Sequence, residues 1–373
     1  MQPEYRMPGS PHLFVDISSH GFGHIAQTAP VLNELRRRNP ALKLTVRSAA
    51  PIEKLQSRIH GYFDHICEAT DFGMRMANAV EVLVQESAQE YAVFHQNWAG
   101  KVEQQAEVLR QISPDLVFSD VSYLALAAAK QAGIPAIGMC SLNWADIYGH
   151  YCADWPGAGK VHQQMLNAYN NADCFVRLQP CMLMPQLQNT LELGPIAHSG
   201  ANRRAEINAT LGLDQNVKLV LVAMGGIQMR LPVERWPSTP GVRWIVQRSW
   251  KVRHPDVIEM EALGMDFTDI LCSCDALITK PGYGSFAEAA VNGVPVLYLR
   301  RLDWPEEPFL VNWLTQFGRC LEVQRNDLDN GTIATVLDTL WKLPSKLLVP
   351  PVGIRQMADV VEKMLYKETR FSQ

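Results

Sequence analysis

One arrangement occurs in both halves of the chain and constrains its fold more than any other feature. Near the N-terminus, the apolar run His12–Ser18 is followed by a glycine-containing turn and by a helical pattern over about 25–38. In the second half, the apolar run Lys218–Ala223 leads into the glycine pair Gly225 and Gly226. An apolar strand, a Gly-rich turn and an amphipathic helix form the opening of a Rossmann-like unit. The repetition predicts two α/β units with parallel sheets.

Further strand and helix patterns complete the two units. The apolar run 115–120 ends in the carboxylate of Asp120, and a helical pattern over 123–132 and a strand at 134–139 follow it. Alternating strands and helices of this kind build a parallel sheet with right-handed crossovers. In the second half, strands are predicted at 218–223, 243–246, 276–279 and 294–299, and helices at 267–272, 284–292, 308–317 and 332–342.

The length of 373 residues is greater than one core usually serves, which favours two domains. We place an N-terminal domain at 1–195 and a C-terminal domain at 205–352, with a linker near 194–200. A helical pattern within 353–373 is predicted to pack back on the N-terminal domain. The stretch 143–173 is rich in Trp, Tyr, His and Asn, and it fits either an insertion that lines a cleft or a helical segment packed on the sheet.

Composition and charge narrow the class of protein. Hydrophobic residues make up 47% of the chain and charged residues 19%, which is ordinary for a globular protein. The net charge of -4 offers no general surface for nucleic acid, and no apolar stretch of about 20 residues predicts a membrane span. Because the N-terminus lacks a signal-peptide pattern and the 8 cysteines are scattered, we expect a cytoplasmic protein with reduced thiols. Cys272 and Cys274 lack the second cysteine pair that a zinc site usually needs, so no metal is expected.

The segment 279–288 carries the strongest chemical pattern. A strand ends where the segment begins, Gly282 and Gly284 form a tight turn, and a helix is predicted to start near Gly284. The N-terminus of a helix presents N–H groups and a partial positive charge, which suit a phosphate. Ser285 adds a hydroxyl, and Glu288 is placed one turn into the helix, where it can accept hydrogen bonds from ribose hydroxyls. The alternative is a Gly-rich turn in which Glu288 stabilises the helix N-terminus.

This segment resembles the donor-binding signature of GT-B glycosyltransferases that use nucleotide-sugars. In UDP-glycosyltransferases the comparable stretch reads H-C-G-W-N-S-x-x-E, and Gly282, Ser285 and Glu288 match it. Lys280 takes the place of the family histidine that contacts phosphate, and it keeps a positive charge there. Gly284 takes the place of an asparagine, which removes one side-chain hydrogen bond. The resemblance implies a nucleotide-sugar site, and a UDP-sugar is the first donor that it implies.

A second stretch extends the resemblance. In UDP-glycosyltransferases a later loop carries an acid–Gln pair that holds sugar hydroxyls, and this chain has Glu306 and Glu307 there. The alternative is a solvated acidic turn before a helix. The segment 280–289 together with the run RRLDWPEEPFL is similar to the glycosyltransferase-like N-terminal region of arabinokinases, and the similarity extends over most of the chain. No small-molecule kinase pattern follows in these residues, so arabinokinase activity is not expected.

The N-terminal turn resembles the G-x-G-H loop of UDP-glycosyltransferases and of the N-acetylglucosaminyltransferase of peptidoglycan synthesis. Here the loop consists of Gly21, Phe22, Gly23 and His24. In the plant enzymes the histidine is the general base and an acid after a later strand orients it, and these places correspond to His24 and Asp120. A histidine titrates near neutrality and can take a proton from a hydroxyl. His20 is a second candidate for the base, and the alternative for His24 is that it caps the first helix.

The glycine pair Gly225–Gly226 lies where relatives bring the backbone close to the donor diphosphate, and its alternative is a plain tight turn. The resemblance as a whole implies an α/β protein of the GT-B type, with two Rossmann-like domains whose parallel sheets face a cleft. The activity it implies is transfer of a sugar from a nucleoside diphosphate sugar to an unidentified hydroxyl acceptor, with inversion and without a metal or cofactor. One alternative is a non-catalytic nucleotide-sugar sensor or accessory protein. Another is a GT-B-like nucleotide-sugar epimerase that uses Glu306 and Glu307.

Overall fold

The computed structural model describes residues 10–78, 80–225 and 229–366. These residues form two compact units. The first unit comprises 10–77, 82–196 and 352–366, and the second comprises 197–225 and 229–351 together with 78 and 80–81. The chain therefore leaves the first unit after residue 196 and returns to it for its last helix.

The first unit is built on a parallel seven-stranded sheet. The strands up to residue 193 are β1 (His12–Ile17), β2 (Lys43–Arg47), β3 (Asp64–Ile66), β4 (Met76–Asn78), β5 (Glu81–Val82), β6 (Leu116–Asp120), β7 (Ala136–Cys140), β8 (Cys174–Leu178) and β9 (Thr190–Leu193). The order in the main sheet is β3-β2-β1-β6-β7-β8-β9, and β4 pairs with β5 separately. All six residues of β1 are buried, as is usual for a central strand of a parallel sheet covered on both faces.

Helices connect these strands. They are α1 (Gly23–Arg38), α2 (Ile52–Gln56), α3 (Val84–His95), α4 (Trp98–Ile112), α5 (Tyr123–Ala132), α6 (Trp144–Cys152) and α7 (Ala158–Asn170). The side chain of Ser122 caps α5 by accepting a hydrogen bond from the backbone N–H of Ala125, and the helix ends at Gly133 in the left-handed conformation. Asn143 caps α6 in the same way, and α6 begins at Trp144, after a three-residue connection from the end of β7 at Cys140.

The second unit repeats the pattern with a parallel six-stranded sheet. Its strands are β10 (Lys218–Val222), β11 (Val242–Val246), β12 (Val257–Glu259), β13 (Ala276–Thr279), β14 (Val296–Tyr298) and β15 (Cys320–Glu322), in the order β12-β11-β10-β13-β14-β15. Its helices are α8 (Arg204–Leu211), α9 (Phe267–Cys272), α10 (Tyr283–Asn292), α11 (Glu307–Phe317), α12 (Arg325–Asn330) and α13 (Ala334–Lys342). The core between sheet and helices is apolar and includes Trp244, Ile278 and Leu337.

The last helix, α14 (Gly353–Leu365), packs against α1 in the first unit. Its inner face is apolar and buried at Met357, Ala358 and Val361. Arg38, the last residue of α1, pairs with Asp359 at 2.6 Å and with Glu362 at 2.9 Å. The apolar stripe and the flanking ion pairs together hold the two helices side by side.

The structure confirms the α/β class with two parallel sheets. Helix α1 begins at Gly23, two residues earlier than predicted, so that His24 lies inside the helix rather than before it. The stretch 143–173 consists mainly of the helices α6 and α7. Within the described residues, none of the helices combines the length and the apolar character needed to cross a membrane.

Candidate functional site

His24 and Asp120 form a buried hydrogen-bonded pair in the first unit. His24 is the second residue of α1, and Asp120 is the last residue of β6, the strand next to β1. Nδ1 of His24 lies 2.9 Å from Oδ1 of Asp120, and the two residues are 7% and 0% exposed. The second carboxylate oxygen of Asp120 accepts a hydrogen bond from the hydroxyl of Thr28 at 2.7 Å. Because a carboxylate only accepts, Nδ1 of His24 carries the proton, and the lone pair of the neutral ring lies on Nε2.

His20 has a different environment, although it belongs to the same loop. Nδ1 of His20 lies 3.2 Å from the carbonyl oxygen of Phe72, and the ring is only partly buried. A neutral carbonyl stabilises an imidazolium less than a carboxylate does. The N-cap of α1 is Phe22, whose side chain makes no capping hydrogen bond, and Nδ1 of His24 faces the carboxylate of Asp120. Of the two histidines, His24 has the partner that a general base requires.

Trp144 lies against both histidines. Its ring meets those of His20 and His24 edge-on, with 5.1 Å and 6.0 Å between ring centroids. Gly73 packs against the same rings, and a Cβ at this position would come within 2.6 Å of the His20 ring and 2.7 Å of the Trp144 ring. Gly73 also has a φ of +63°. Both the close approach and the backbone conformation therefore require glycine here.

Asp71 holds Trp144 in place. One carboxylate oxygen of Asp71 accepts a hydrogen bond from Nε1 of Trp144 at 2.9 Å, and the other accepts one from the hydroxyl of Ser18 at 2.7 Å. Burial raises the pKa of Asp71 to about 6, against the lowering effects of the Ser18 hydrogen bond and of the charge on His24. A second carboxyl group thus lies within electrostatic range of His24.

Cys140, the last residue of β7, adds a thiol to this cluster. Its Sγ lies 3.8 Å from Nδ1 of His24 and 3.6 Å from Oε1 of Gln27. His24, Asp120 and Cys140 are all of metal-ligating types, and their donor atoms lie within 4.8 Å of one another. A metal ion at this place would have to displace the proton that His24 shares with Asp120. Among the described residues, Cys272 and Cys274 belong to no such cluster.

In the second unit, residues 280–282 connect the end of β13 to the start of α10. Gly282 is the N-cap and supplies no side-chain hydrogen bond, and the first turn holds no acidic residue. A Cβ at Gly284 would meet no atom within 4 Å, and one at Gly282 would meet only a carbonyl oxygen at 3.9 Å. Packing within the unit therefore does not require glycine at these two positions. Ser285 and Glu288 lie on the first two turns and are partly exposed.

Lys280 lies beside this turn. It follows β13, and Gly225 follows the neighbouring strand β10 with a φ of +85°. A Cβ at Gly225 would lie 3.6 Å from Nζ of Lys280. Burial, and after it the charge of Arg301, lowers the pKa of Lys280 to about 8, although Glu306 acts in the opposite direction. The predicted partner of Gly225, Gly226, lies outside the described residues.

Glu306 and Glu307 are buried, so the alternative of a solvated acidic turn is wrong. One carboxylate oxygen of Glu307 accepts a hydrogen bond from Nε of Arg300 at 2.8 Å, and the other accepts one from the backbone N–H of Arg301. Glu306 accepts a hydrogen bond from Nε1 of Trp304 at 3.1 Å. Through these hydrogen bonds, both acids stabilise the conformation of the loop between β14 and α11.

Sequence reasoning missed Asp71, Trp144 and Arg301. Asp71 and Gly73 lie in a short stretch between β3 and β4. An acid two residues before a glycine was the only sequence feature that could have marked this stretch as part of the site. Trp144 belongs to the aromatic stretch 143–173, and its place in the first turn after a buried strand was the available signal. Arg301 was part of the run that carries the family resemblance, but no role was assigned to it.

No protein-family profile matches the chain. The chain is 28% identical over 326 residues to L-arabinokinase of Arabidopsis thaliana, a match that covers 84% of this chain and 30% of that protein. The chain therefore spans less than a third of the length of this curated relative.

Three solved structures share the fold at low sequence identity. The glycosyltransferase of kitacinnamycin has a TM-score of 0.61 at 16% identity and covers 96% of this chain and 100% of its own. The calicheamicin glycosyltransferase CalG4 has a TM-score of 0.61 at 14% identity, with coverages of 98% and 100%. A Listeria monocytogenes protein described as a UDP-N-acetylglucosamine 2-epimerase has a TM-score of 0.56 at 14% identity, with coverages of 96% and 98%. The chain has the GT-B fold of these glycosyltransferases, and over most of its length it is similar to part of an arabinokinase.

Proposed function

We propose that this chain is a glycosyltransferase that moves the sugar of a nucleoside diphosphate sugar to a hydroxyl group of an acceptor. The observation that carries the proposal is the buried His24–Asp120 pair in a chain with the GT-B fold. A carboxylate that accepts a hydrogen bond from the Nδ1–H group holds the ring in one tautomer and stabilises the imidazolium. Nε2 of His24 is then the atom that accepts a proton.

The proposed reaction is a single displacement. Nε2 of His24 takes the proton of the acceptor hydroxyl while the hydroxyl oxygen attacks the anomeric carbon. The bond from that carbon to the diphosphate oxygen breaks, and its electron pair stays on the leaving diphosphate. Because attack and departure take place on opposite faces, the configuration at the anomeric carbon is inverted. Asp120 supports the step, because its attraction to the ring grows as the ring becomes charged.

The donor would bind to the second unit. The N-terminus of α10 and the ammonium group of Lys280 suit the diphosphate, and Ser285 adds a hydroxyl donor. Glu288 would accept hydrogen bonds from the ribose of a UDP-sugar. The charge that develops on the leaving diphosphate would be stabilised by Lys280 and the helix N-terminus, so the proposal requires no metal ion.

An epimerase of the same fold is a second candidate, favoured by the similarity to the Listeria protein. The contacts in the loop between β14 and α11 argue against an epimerase that uses Glu306 and Glu307 for proton transfer. Both oxygens of Glu307 already bind Arg300 and the backbone of Arg301, and Glu306 binds Trp304. These contacts favour a supporting role for the acids over proton transfer at a sugar carbon.

The first experiment is a thermal-shift screen with UDP-, dTDP-, GDP- and ADP-sugars, because a ligand that binds only the native state raises the melting temperature. Release of the nucleoside diphosphate in the presence of candidate acceptors then separates an enzyme from a sensor. Binding without any release would support the sensor, and no shift with any donor would contradict the proposal.

Variants of the donor residues test the site itself. Glu288→Ala should weaken nucleotide binding by about 1–3 kcal/mol, the usual cost of losing charge-assisted hydrogen bonds. Lys280→Ala should weaken the binding of diphosphates more than that of the nucleoside. Glu206→Ala is the control, because this acid of α8 pairs with Arg203, the residue before the helix, in the same unit. Calorimetry that gives unchanged affinities for both site variants would refute the donor site.

A further inference from the structure

Arg301 reaches the same edge of the second sheet as Lys280. Strands β13 and β14 pair in parallel with Thr279 opposite Tyr298, and the N–H of Leu299 donates to the carbonyl of Thr279 at 3.0 Å. Lys280 follows Thr279 directly, and Arg301 is the third residue after Tyr298, so both lie beyond the carboxyl ends of neighbouring strands. Strand β10, on the other side of β13, brings Gly225 to this edge. Carboxyl ends of parallel strands are where α/β sheets bind ligands.

The guanidinium of Arg301 is held in a defined orientation. Its Cζ lies 3.9 Å from the ring centroid of Trp304, and Nε1 of Trp304 donates to Glu306 at 3.1 Å. The backbone N–H of Arg301 is bound by the carboxylate of Glu307, and its carbonyl accepts a hydrogen bond from the N–H of Trp304 at 3.1 Å. Only 7% of Arg301 is exposed. A planar guanidinium stacked on an aromatic ring keeps its donors aimed in one direction.

The two cations act on each other. Arg301 is, after burial, the main cause that lowers the pKa of Lys280, which means that the two positive charges repel each other at this edge. Repulsion between partly buried like charges opposes folding unless a ligand or an acid offsets it. Glu306 offsets part of it. An anion with two charged groups would interact favourably with both cations at once.

We propose that Arg301 binds the diphosphate together with Lys280, so that the site selects ligands with two phosphates over ligands with one. The inference rests on the proposed function, because it takes the ligand to be a nucleoside diphosphate or its sugar. A guanidinium can donate two parallel hydrogen bonds to one phosphate, whereas the ammonium of Lys280 acts as a compact charge on the other. The same contact would stabilise the leaving diphosphate during transfer.

The test compares affinities for diphosphates and monophosphates. Calorimetry with UDP, dTDP, GDP and ADP identifies the diphosphate that binds most tightly, and its monophosphate is the paired probe. Arg301→Gln should reduce the preference for the diphosphate by about 10- to 100-fold. Arg301→Lys keeps the charge but cannot donate two parallel hydrogen bonds, and it should reduce the preference by about 3- to 10-fold. Arg203→Ala removes a partly exposed arginine that precedes α8 in the same unit and should leave the preference unchanged.

The outcomes separate this inference from the proposed function. An unchanged preference in Arg301→Gln and Arg301→Lys would overturn the role of Arg301 and leave the donor site standing. If the unmodified protein binds none of the four diphosphates, the proposed function fails and the inference fails with it. If Arg301→Gln shows no cooperative thermal transition, Arg301→Lys decides alone, and a preference equal to that of the unmodified protein would then refute the inference.

Discussion

Nδ1 of His24 lies 2.9 Å from Oδ1 of Asp120, although 96 positions separate the two residues in the sequence. The order of the sheet explains this proximity, since β6 pairs directly with β1 and Ile17 lies opposite Asp120. Helix α1 then begins at Gly23 and brings His24 back to the end of β6. The pair therefore depends on strand order, and it would be lost in any alternative pairing of these strands.

The first prediction concerns this pair. His24→Ala should reduce turnover by about 10²- to 10⁴-fold, the usual cost of removing a positioned general base. Donor affinity should stay nearly unchanged, because the proposed donor residues belong to the second unit. Release of nucleoside diphosphate under saturating donor measures the first quantity, and calorimetry measures the second.

His20→Ala is the matched control, because His20 lies in the same loop but its Nδ1 faces a carbonyl oxygen rather than a carboxylate. It should slow turnover less than His24→Ala does. Asp120→Asn should resemble His24→Ala in rate, since an amide does not stabilise the imidazolium. A normal rate in His24→Ala combined with a large loss in His20→Ala would move the base to His20.

The second prediction concerns protons taken up with the donor. Because the pKa of Lys280 in the unliganded protein is lowered to about 8, part of this group is neutral under mildly alkaline conditions. A bound diphosphate favours the charged form, so binding near pH 8 should be accompanied by proton uptake. Affinity should fall as the pH rises above about 8, well above the phosphate pKa of about 6.

Calorimetry in buffers with different ionisation enthalpies measures this uptake directly. Lys280→Arg is the control, because an arginine stays charged throughout this range and should show no uptake. Two results together would contradict a lowered pKa for Lys280. They are an affinity of the unmodified protein that is constant across this pH range, and a binding enthalpy that is the same in every buffer.

The third prediction concerns Asp71 and stability. Burial raises its pKa from 3.8 to about 6, so the folded state binds this proton more tightly than the unfolded state does. Such a group favours folding at low pH, and the contribution is lost as the pH rises from about 4 through about 6. Relative to Asp71→Asn, which does not titrate, the free energy of unfolding of the unmodified protein should therefore fall by up to about 3 kcal/mol between these limits.

Chemical denaturation at intervals across this pH range measures the difference. Asp154→Asn is the control, because Asp154 is an exposed acid of the same unit and its replacement should give a small difference. A difference between the unmodified protein and Asp71→Asn that does not vary with pH would mean that Asp71 titrates at its ordinary value.

The fourth prediction concerns Gly73. Both Gly73 and Gly157 have left-handed backbone, with φ of +63° and +82°, but a Cβ at Gly157 would meet no atom within 4 Å. Gly157→Ala should thus cost only the backbone strain, about 1–2 kcal/mol. Gly73→Ala should cost about 1–3 kcal/mol more, because its Cβ collides with the rings of His20 and Trp144. Equal costs for the two variants in thermal unfolding would show that the rings move aside freely.

The sequence allowed the order of elements to be predicted, because strands and helices follow from local periodicity. Helix α5 at Tyr123–Ala132 and strand β13 at Ala276–Thr279 have the predicted bounds. His24, Asp120 and Lys280 were found because each lies at or just beyond the end of a predicted strand, and their proposed roles remain predictions. The predicted start of α1 was too late by two residues, because glycines at 21 and 23 suggested a loop where the helix has already begun.

Local periodicity and motifs could not identify Asp71 as a residue of the site. Its hydrogen-bond partners Ser18 and Trp144 lie 53 and 73 positions away, and only the assembled sheet brings the three side chains together. For Glu307, a motif identified the residue but predicted the wrong partner. Its position in a motif suggested sugar hydroxyls as partners, whereas the structure pairs it with Arg300 and with the backbone of Arg301.

The packing of α14 against α1 fixes the order in which the two units can be completed on the ribosome. Arg38 meets Asp359, which is translated 321 positions later, and at typical elongation rates this corresponds to roughly 15–60 seconds. During that interval the face of α1 that receives α14 stays uncovered. The sheet of the second unit, by contrast, draws all its strands from Lys218–Glu322 and can close before α14 is made. The unit that begins first in translation is therefore the one that is finished last.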